Sequence, residues 1–377
     1  MKWYLWWKSI DKIILLVTFG LIGIGALLIN VSTQSVALRI GIDYYSFINK
    51  QIFFLLTGVV LILFLSTLKP KGIKKFSILG LAFFLLCLLA VSFVGYETKG
   101  ARRWLNLGGV SFQPSEFIKP FFCICNAIIL SGSKLLFFGR IFQVTANYKI
   151  LVSILIYLVI ATLLILQPDF GMFLVLSFIW FMQVFIAGIS YGLSSIFIGM
   201  VAGGSILSYL TLSHVRNRIN LFFDTKEIGV KANYQVSKSL MAFKNGKLFG
   251  VGLGDGVVKR VLPDSHTDFI FAVAGEEFGA VFCILILLLF VLLLVRIIIF
   301  CMKNTDNFIV LSLVGLGSQV GIQSLINMGV ALNLLPTKGM TLPLISYGGS
   351  STLAISILFG FILSLNKNLV LHKYKLR

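Results

Sequence analysis

Charge is what this sequence has least of. Of its 377 residues only 12% are Asp, Glu, Lys or Arg, against the ~25% usual in soluble domains, and 58% are hydrophobic. A soluble chain so poor in charge could not cover its own surface, so the composition indicates an integral membrane protein. Acidic charge is scarcer still: 13 Asp and Glu stand against 32 Lys and Arg, for a net charge of +19. The cations sit in short gaps between apolar runs, which favours anionic lipid over nucleic acid as the partner. Only 3 histidines occur. His266 has only His214 for company in its segment, so it reads as a hydrogen-bonding support and not as a metal ligand. Cys87, Cys123, Cys125, Cys283 and Cys301 all lie in or at the ends of apolar runs, which argues against a disulfide framework. Cys123-x-Cys125 lacks the spacing of a redox or zinc pair.

What the sequence has in quantity is long apolar runs. Lipid cannot satisfy a bare backbone, so a spanning helix needs about 20 predominantly apolar residues. That ruler marks ten spans, at roughly 13–31, 50–68, 76–94, 114–131, 150–166, 171–188, 191–211, 269–300, 307–329 and 351–365. The first is too long for a signal-peptide core and reads as a retained helix. The fourth is the least hydrophobic, and the eighth is long enough to tilt or carry an amphipathic extension. With the N-terminus inside, the inner segments hold 16 Lys and Arg and the short outer loops hold 6. The expected fold is an all-α polytopic membrane protein with cytoplasmic termini. Residues 1–377 form one transmembrane domain, with a large extracytoplasmic loop at about 212–268 between helices 7 and 8.

The acids are distributed the other way. Asp11 and Asp306 fall inside, whereas Asp43, Glu97, Asp169, Asp224, Glu227, Asp255, Asp264 and Asp268 fall outside. The site is therefore sought on the outer face. Val236, Leu240 and Phe243 stand at helical spacing among lysines, which predicts an amphipathic helix on the membrane surface. The glycine-rich run 246–256 follows, either as a connector or as a source of N–H groups for a phosphate. Asp268 then ends the run Leu262-Pro-Asp-Ser-His-Thr-Asp268, where an aqueous loop meets an apolar helix. Thr267 or Asp268 can serve there as an N-cap, or Asp268 as a partly desolvated general base. Glu276 and Glu277 lie about two turns deeper, and as intramembrane acids they are candidates for function or for a buried ion pair.

Two more outer clusters stand out. In the first, Arg102 and Arg103 can grip phosphate beside Trp104, and Glu116 and Lys119 share a helix face, where a structural salt bridge is the simpler reading. In the second, Leu335 to Ser351 holds Lys338, Ser346, Tyr347, Gly348, Gly349 and Ser350. So many polar and helix-breaking residues between two spans predict a loop lining a cavity.

Together the motifs resemble a known family. Gly100-Ala-Arg-Arg-Trp104, Gln113-Pro-Ser-Glu116, Gln167-Pro-Asp-Phe-Gly171, His266-Thr-Asp-Phe-Ile-Phe-Ala272 with Glu276-Glu277, and Pro343-Leu-Ile-Ser-Tyr-Gly-Gly-Ser-Ser351 are similar to those of the SEDS family. The name stands for shape, elongation, division and sporulation. The likeness covers nearly the whole chain, and the last two motifs are highly specific. Asn233-Tyr-Gln235 with Ser239-Leu240, and Leu335-Pro-Thr-Lys-Gly339 with Thr341-Leu-Pro-Leu344, resemble the division-type branch more than the elongation-type branch. Asp264 departs from the family's usual Glu but keeps the charge.

The resemblance implies a peptidoglycan glycosyltransferase that polymerises lipid II into β-1,4 glycan at the outer face of the bacterial cytoplasmic membrane, at the division septum. It places the catalytic carboxylate on Asp268, with Glu116, Lys119, His266, Thr267, Glu276 and Glu277 in support. Arg102, Arg103, Arg216, Lys338, Ser346, Tyr347, Gly348, Gly349 and Ser350 are the candidates for binding substrate and its pyrophosphates. The expected cofactor is a divalent cation, Mg or Mn, with Asp268 as a ligand, and no organic cofactor. The expected partners are lipid II, the nascent glycan strand, a class B penicillin-binding protein transpeptidase and other divisome membrane proteins, with no nucleic acid. The competing readings are a lipid II flippase, an elongation-type polymerase, and a scaffold that would tolerate change at Asp268.

Overall fold

The computed structural model describes residues 3–41, 44–98, 101–107, 110–133, 135–137, 140–142, 148–189, 231–337 and 339–367, and scattered positions between 192 and 220. A short helix α1 (Trp3–Ser9) precedes α2 (Lys12–Ile40), α3 (Tyr44–Thr67) and α4 (Pro70–Val94). After a small sheet come α5 (Pro114–Ser131), α6 (Lys149–Leu166) and α7 (Phe170–Ile186), and later α8 (Lys231–Gly246) and α9 (Val258–Val261). The chain ends in α10 (Ile270–Lys303), α11 (Asn307–Ala331) and α12 (Gly349–Leu365). The protein is thus a mostly helical, multi-pass membrane protein. Among the described residues six helices, α2, α3, α4, α6, α10 and α11, are long and apolar enough to cross a bilayer. The expected spans fall on helices; of the seventh, 191–211, only scattered positions are described, and these are helical.

Burial explains the hydropathy ranking. Helix α5 is buried from Pro114 to Ile128 and packs against α4, α11 and α12. Surrounded by protein, it needs no lipid-facing apolar surface and can carry Glu116 and Lys119. The outer helices do the reverse: α3 and α4 expose Phe53, Leu56, Val60, Phe64, Phe83 and Leu86. At the end remote from Asp268, Arg296 of α10 pairs with Asp11 at 2.8 Å.

One expectation needs correction. The fold is not all-α: Tyr96–Thr98, Ala101–Leu107 and Val110–Phe112 form an antiparallel sheet β1-β2-β3, with Leu105 opposite Phe112. A second hairpin pairs β4 (Leu135–Phe137) with β5 (Arg140–Phe142). Strands this short carry too little alternation to show beside 20-residue apolar runs. Helix α8 covers the residues expected to form an amphipathic helix, and the side it turns to the protein is not the Val236–Leu240–Phe243 face. Ser239, Ala242 and Gly246 are buried while Leu240 is 40% exposed, because Ser239 Oγ donates to the Ala331 carbonyl and Phe243 packs on Phe271.

Helix α10 is broken at Gly279 (φ +79°, ψ −177°). A break at membrane depth frees backbone groups that something must satisfy. The glycine-rich strand does so: Val251 and Gly252 donate to the Glu276 and Glu277 carbonyls, and Ala280 and Val281 donate to those of Lys247 and Leu248. A Cβ at Gly279 would lie 2.3 Å from the Leu248 oxygen, and one at Gly250 (φ +84°) 2.1 Å from the Glu277 oxygen. Only glycine permits that approach.

Candidate active site

Asp268 stands in a turn that begins at Asp264. The Asp264 carbonyl accepts from the Thr267 and Phe269 amides at 3.1 and 3.2 Å and from the Thr267 hydroxyl at 3.2 Å. Helix α10 starts just beyond, with Phe269 in the N-cap position, so capping explains neither Thr267 nor Asp268. The turn leaves Asp268 half-buried at the rim of the bundle.

A second loop, between α11 and α12, is laced to this turn. The Tyr347 amide donates to the His266 carbonyl at 2.9 Å, and Ser346 Oγ donates to the Thr267 carbonyl at 2.6 Å while accepting from the Leu342 amide at 2.7 Å. The amide of Asn327 donates to the Asp268 carbonyl at 2.9 Å and the Met340 carbonyl at 2.6 Å. Phe47 of α3 stacks on Tyr347 and meets His266 edge-on, with centroids 4.5 and 5.4 Å away. Burial in that cluster pushes the Tyr347 phenol above its ordinary pKa. Gly349 lies against the Phe54 ring, and the Gly348 backbone is extended (φ 161°).

Below the loops runs a chain of buried polar groups. Lys119 is wholly buried and donates to Glu116 Oε2 at 2.7 Å, to Met172 Sδ at 3.2 Å and to Gln323 Oε1 at 3.4 Å. Gln323 donates in turn to the Thr341 carbonyl at 3.2 Å. Thr341 and Ser351 share a hydrogen bond of 2.5 Å, and Ser350 Oγ accepts from the Gln113 amide at 3.1 Å. Gln113 Nε2 and Ser115 Oγ both donate to Asp169, which lies 3.9 Å from Arg103. Helices α5, α7, α11 and α12 are thereby locked beneath the aspartate by one network, in which each satisfied member fixes the next.

A family model described as cell cycle protein, covering FtsW, RodA and SpoVE, matches residues 12–370. The chain belongs to this family, the SEDS proteins. Among its relatives is a Caulobacter vibrioides protein named "Probable peptidoglycan glycosyltransferase FtsW", 36% identical over 362 residues, or 96% of this chain and 90% of the other. A Coxiella burnetii protein of the same name is 34% identical, over 94% of this chain and 95% of its own. Among solved structures, a chain from a peptidoglycan synthase complex superposes with a TM-score of 0.73 at 26% identity, over 93% of this chain and 97% of that one. Thermus thermophilus RodA gives 0.67 at 27% identity, over 95% and 97%.

In this SEDS chain Glu276 and Glu277 do not point at the Asp268 turn. Glu276 accepts from the amides of Val257, Val258 and Lys259, and Glu277 from those of Gly254 and Gly256 and from Lys259 Nζ at 2.6 Å. Of the N–H groups in the glycine-rich run, those of Gly254 and Gly256 are taken up by the Glu277 carboxylate and those of Gly250, Val251, Gly252 and Asp255 by backbone carbonyls. The cations divide as well. Arg103 is a strut, donating to the Gln167 and Pro168 carbonyls, whereas Arg102 is exposed on the opposite face of β2. Arg216 is exposed and donates to the Tyr209 and Leu210 carbonyls. Lys338 lies outside the described residues.

Sequence reasoning passed over Asn327 and Gln323, the two amides that join the halves of the site. The signal was there: Gln319, Gln323 and Asn327 fall four residues apart on one stripe of α11, all buried. Among the described residues no three His, Cys, Asp or Glu side chains cluster to hold a metal. A site with fewer than three such side chains suits a cation shared with a substrate's phosphates, the mode Mg²⁺ favours, and Asp268 would be its protein ligand. A carboxylate at the rim, backed by a buried polar network, is equipped to accept a proton.

Proposed function

We propose that the chain is a division-type peptidoglycan glycosyltransferase that joins lipid II units into β-1,4 glycan on the outer face of the cytoplasmic membrane. The observation that carries this reading is Asp268 itself: a half-buried carboxylate on a turn that the 339–348 loop and Asn327 hold in place, in a chain whose FtsW relatives cover nearly all of it. Asp268 takes the proton of the acceptor's 4-hydroxyl as that oxygen attacks the anomeric carbon of the donor. The bond to pyrophosphate breaks with its electron pair, undecaprenyl pyrophosphate leaves, and the α-linkage inverts to β.

Pyrophosphate is a good leaving group, so it calls for charge neutralisation more than for protonation. Arg102 is exposed and outside the internal struts, which makes it a candidate for that role; Arg216 and Lys338 are further candidates. A divalent cation, held by Asp268 and the substrate, would add Lewis-acid neutralisation. Ser346 acts through the loop it braces, and Ser350 through the Gln113 amide that it holds at the start of α5. A class B penicillin-binding protein is the proposed partner, in keeping with the synthase complex whose chain this one resembles, and the septum is the proposed location. Purified protein given lipid II, with and without that transpeptidase, tests the reading: glycan strands support it, and unpolymerised lipid II in both mixtures contradicts it.

A further inference from the structure

At the far end of α12, a 17-residue helix and so about 25 Å from its start at Gly349, two polar side chains are buried without partners among the described residues. Asn366 is wholly buried and neither amide atom is hydrogen-bonded; Lys367 is 5% exposed and its Nζ has no acceptor. Burial pushes that ammonium down to about 8. One turn earlier Ser364 Oγ donates to the Leu68 carbonyl at 2.6 Å, which sets this face against the turn between α3 and α4. That turn brings further positive charge in Lys69, Lys71 and Lys74, the last lying 4.1 Å over the Phe308 ring. The acids of this end are engaged elsewhere: Asp11 with Arg296, and Asp306 with the Phe308 amide. A buried cation with no counter-ion is costly, and natural structures supply one.

We infer that Asn366 and Lys367 form a binding site for a phosphate-bearing anion at the end of the bundle opposite Asp268. The ammonium and the Asn366 Nδ2 donate to phosphate oxygens, and Asn366 Oδ1 accepts from a hydroxyl. A glycerol-type phospholipid headgroup offers both at the depth where a spanning helix ends; inorganic phosphate offers the first alone.

The test is thermal unfolding of the purified full-length protein in detergent with phosphatidylglycerol, phosphatidylcholine or inorganic phosphate added. Phosphatidylglycerol is expected to raise the Tm of the wild type by several degrees and phosphatidylcholine to leave it unchanged. Lys367→Met is expected to melt no lower than the unliganded wild type and to gain nothing from phosphatidylglycerol, while Lys367→Arg keeps the gain. A rise with inorganic phosphate equal to that with the lipid assigns the site to free phosphate. Should Lys367→Met not fold, native mass spectrometry of Asn366→Leu reads the same point, with loss of the phosphatidylglycerol that the wild type retains. A wild type indifferent to every anion, or a Lys367→Met protein that responds as the wild type does, overturns the inference.

Discussion

The side-chain amide of Asn327 donates to the backbone carbonyls of Asp268 and Met340 at once, at 2.9 and 2.6 Å. One residue of α11 thus ties the turn that carries the carboxylate to the loop that faces it. Neither segment has helix or sheet bonds of its own there, so their relative position rests on this amide and on the Ser346 and Tyr347 contacts.

Replacing Asn327 tests that dependence. Asn327→Leu removes the donor and leaves two buried carbonyls unpaired, at a cost of about 1–3 kcal/mol each. Asn327→Asp keeps the shape but cannot donate, and should do as much harm. Both are expected to lower polymerisation of lipid II by roughly 10²-fold through misplacement of Asp268, more than the loss of folded protein explains. Rates normalised to folded protein check this.

Gly339 gives a gentler probe. A Cβ there would lie 3.1 Å from Asp268 Oδ2, close enough to make the carboxylate yield. Gly339→Ala should leave the melting temperature nearly unchanged and reduce kcat more than KM. An unaltered kcat would mean that the orientation of the carboxylate is not critical.

The Glu116–Lys119 pair, 2.7 Å apart and buried, is expected to behave asymmetrically. Removing one partner strands a charge inside the bundle, at about 3–5 kcal/mol. Glu116→Gln and Lys119→Met should therefore each destabilise strongly, while the double variant recovers much of the loss. A double-mutant cycle by thermal unfolding measures the coupling; strict additivity would contradict it.

How much of this was legible in the sequence follows from what each feature demands. Spans show because lipid imposes a length and an apolarity on α3, α4 and α6 that nothing else requires. Helix α5 remained visible despite Glu116 and Lys119 because the rest of it is apolar. The Asp268 turn was legible as polar residues running into a helix. The break at Gly279 was not, since glycine is common in membrane helices and only the packed strand 246–252 distinguishes this one. Arg102 and Arg103 looked equivalent; strand alternation separates them, and a strand of that length leaves little trace. Asn327 and Gln323 were missed because a search led by charge passes over amides, although in a low-dielectric bundle an amide is bound to find partners.

The central claim is that the Asp268 carboxylate takes the acceptor's proton. Its most direct test is polymerisation of lipid II by purified Asp268→Asn, nearly isosteric and unable to act as the base, beside wild type of equal melting temperature and with the transpeptidase partner present. The account predicts no glycan strands from the variant at times when the wild type has consumed its substrate. Strands of wild-type length and yield from Asp268→Asn would contradict it.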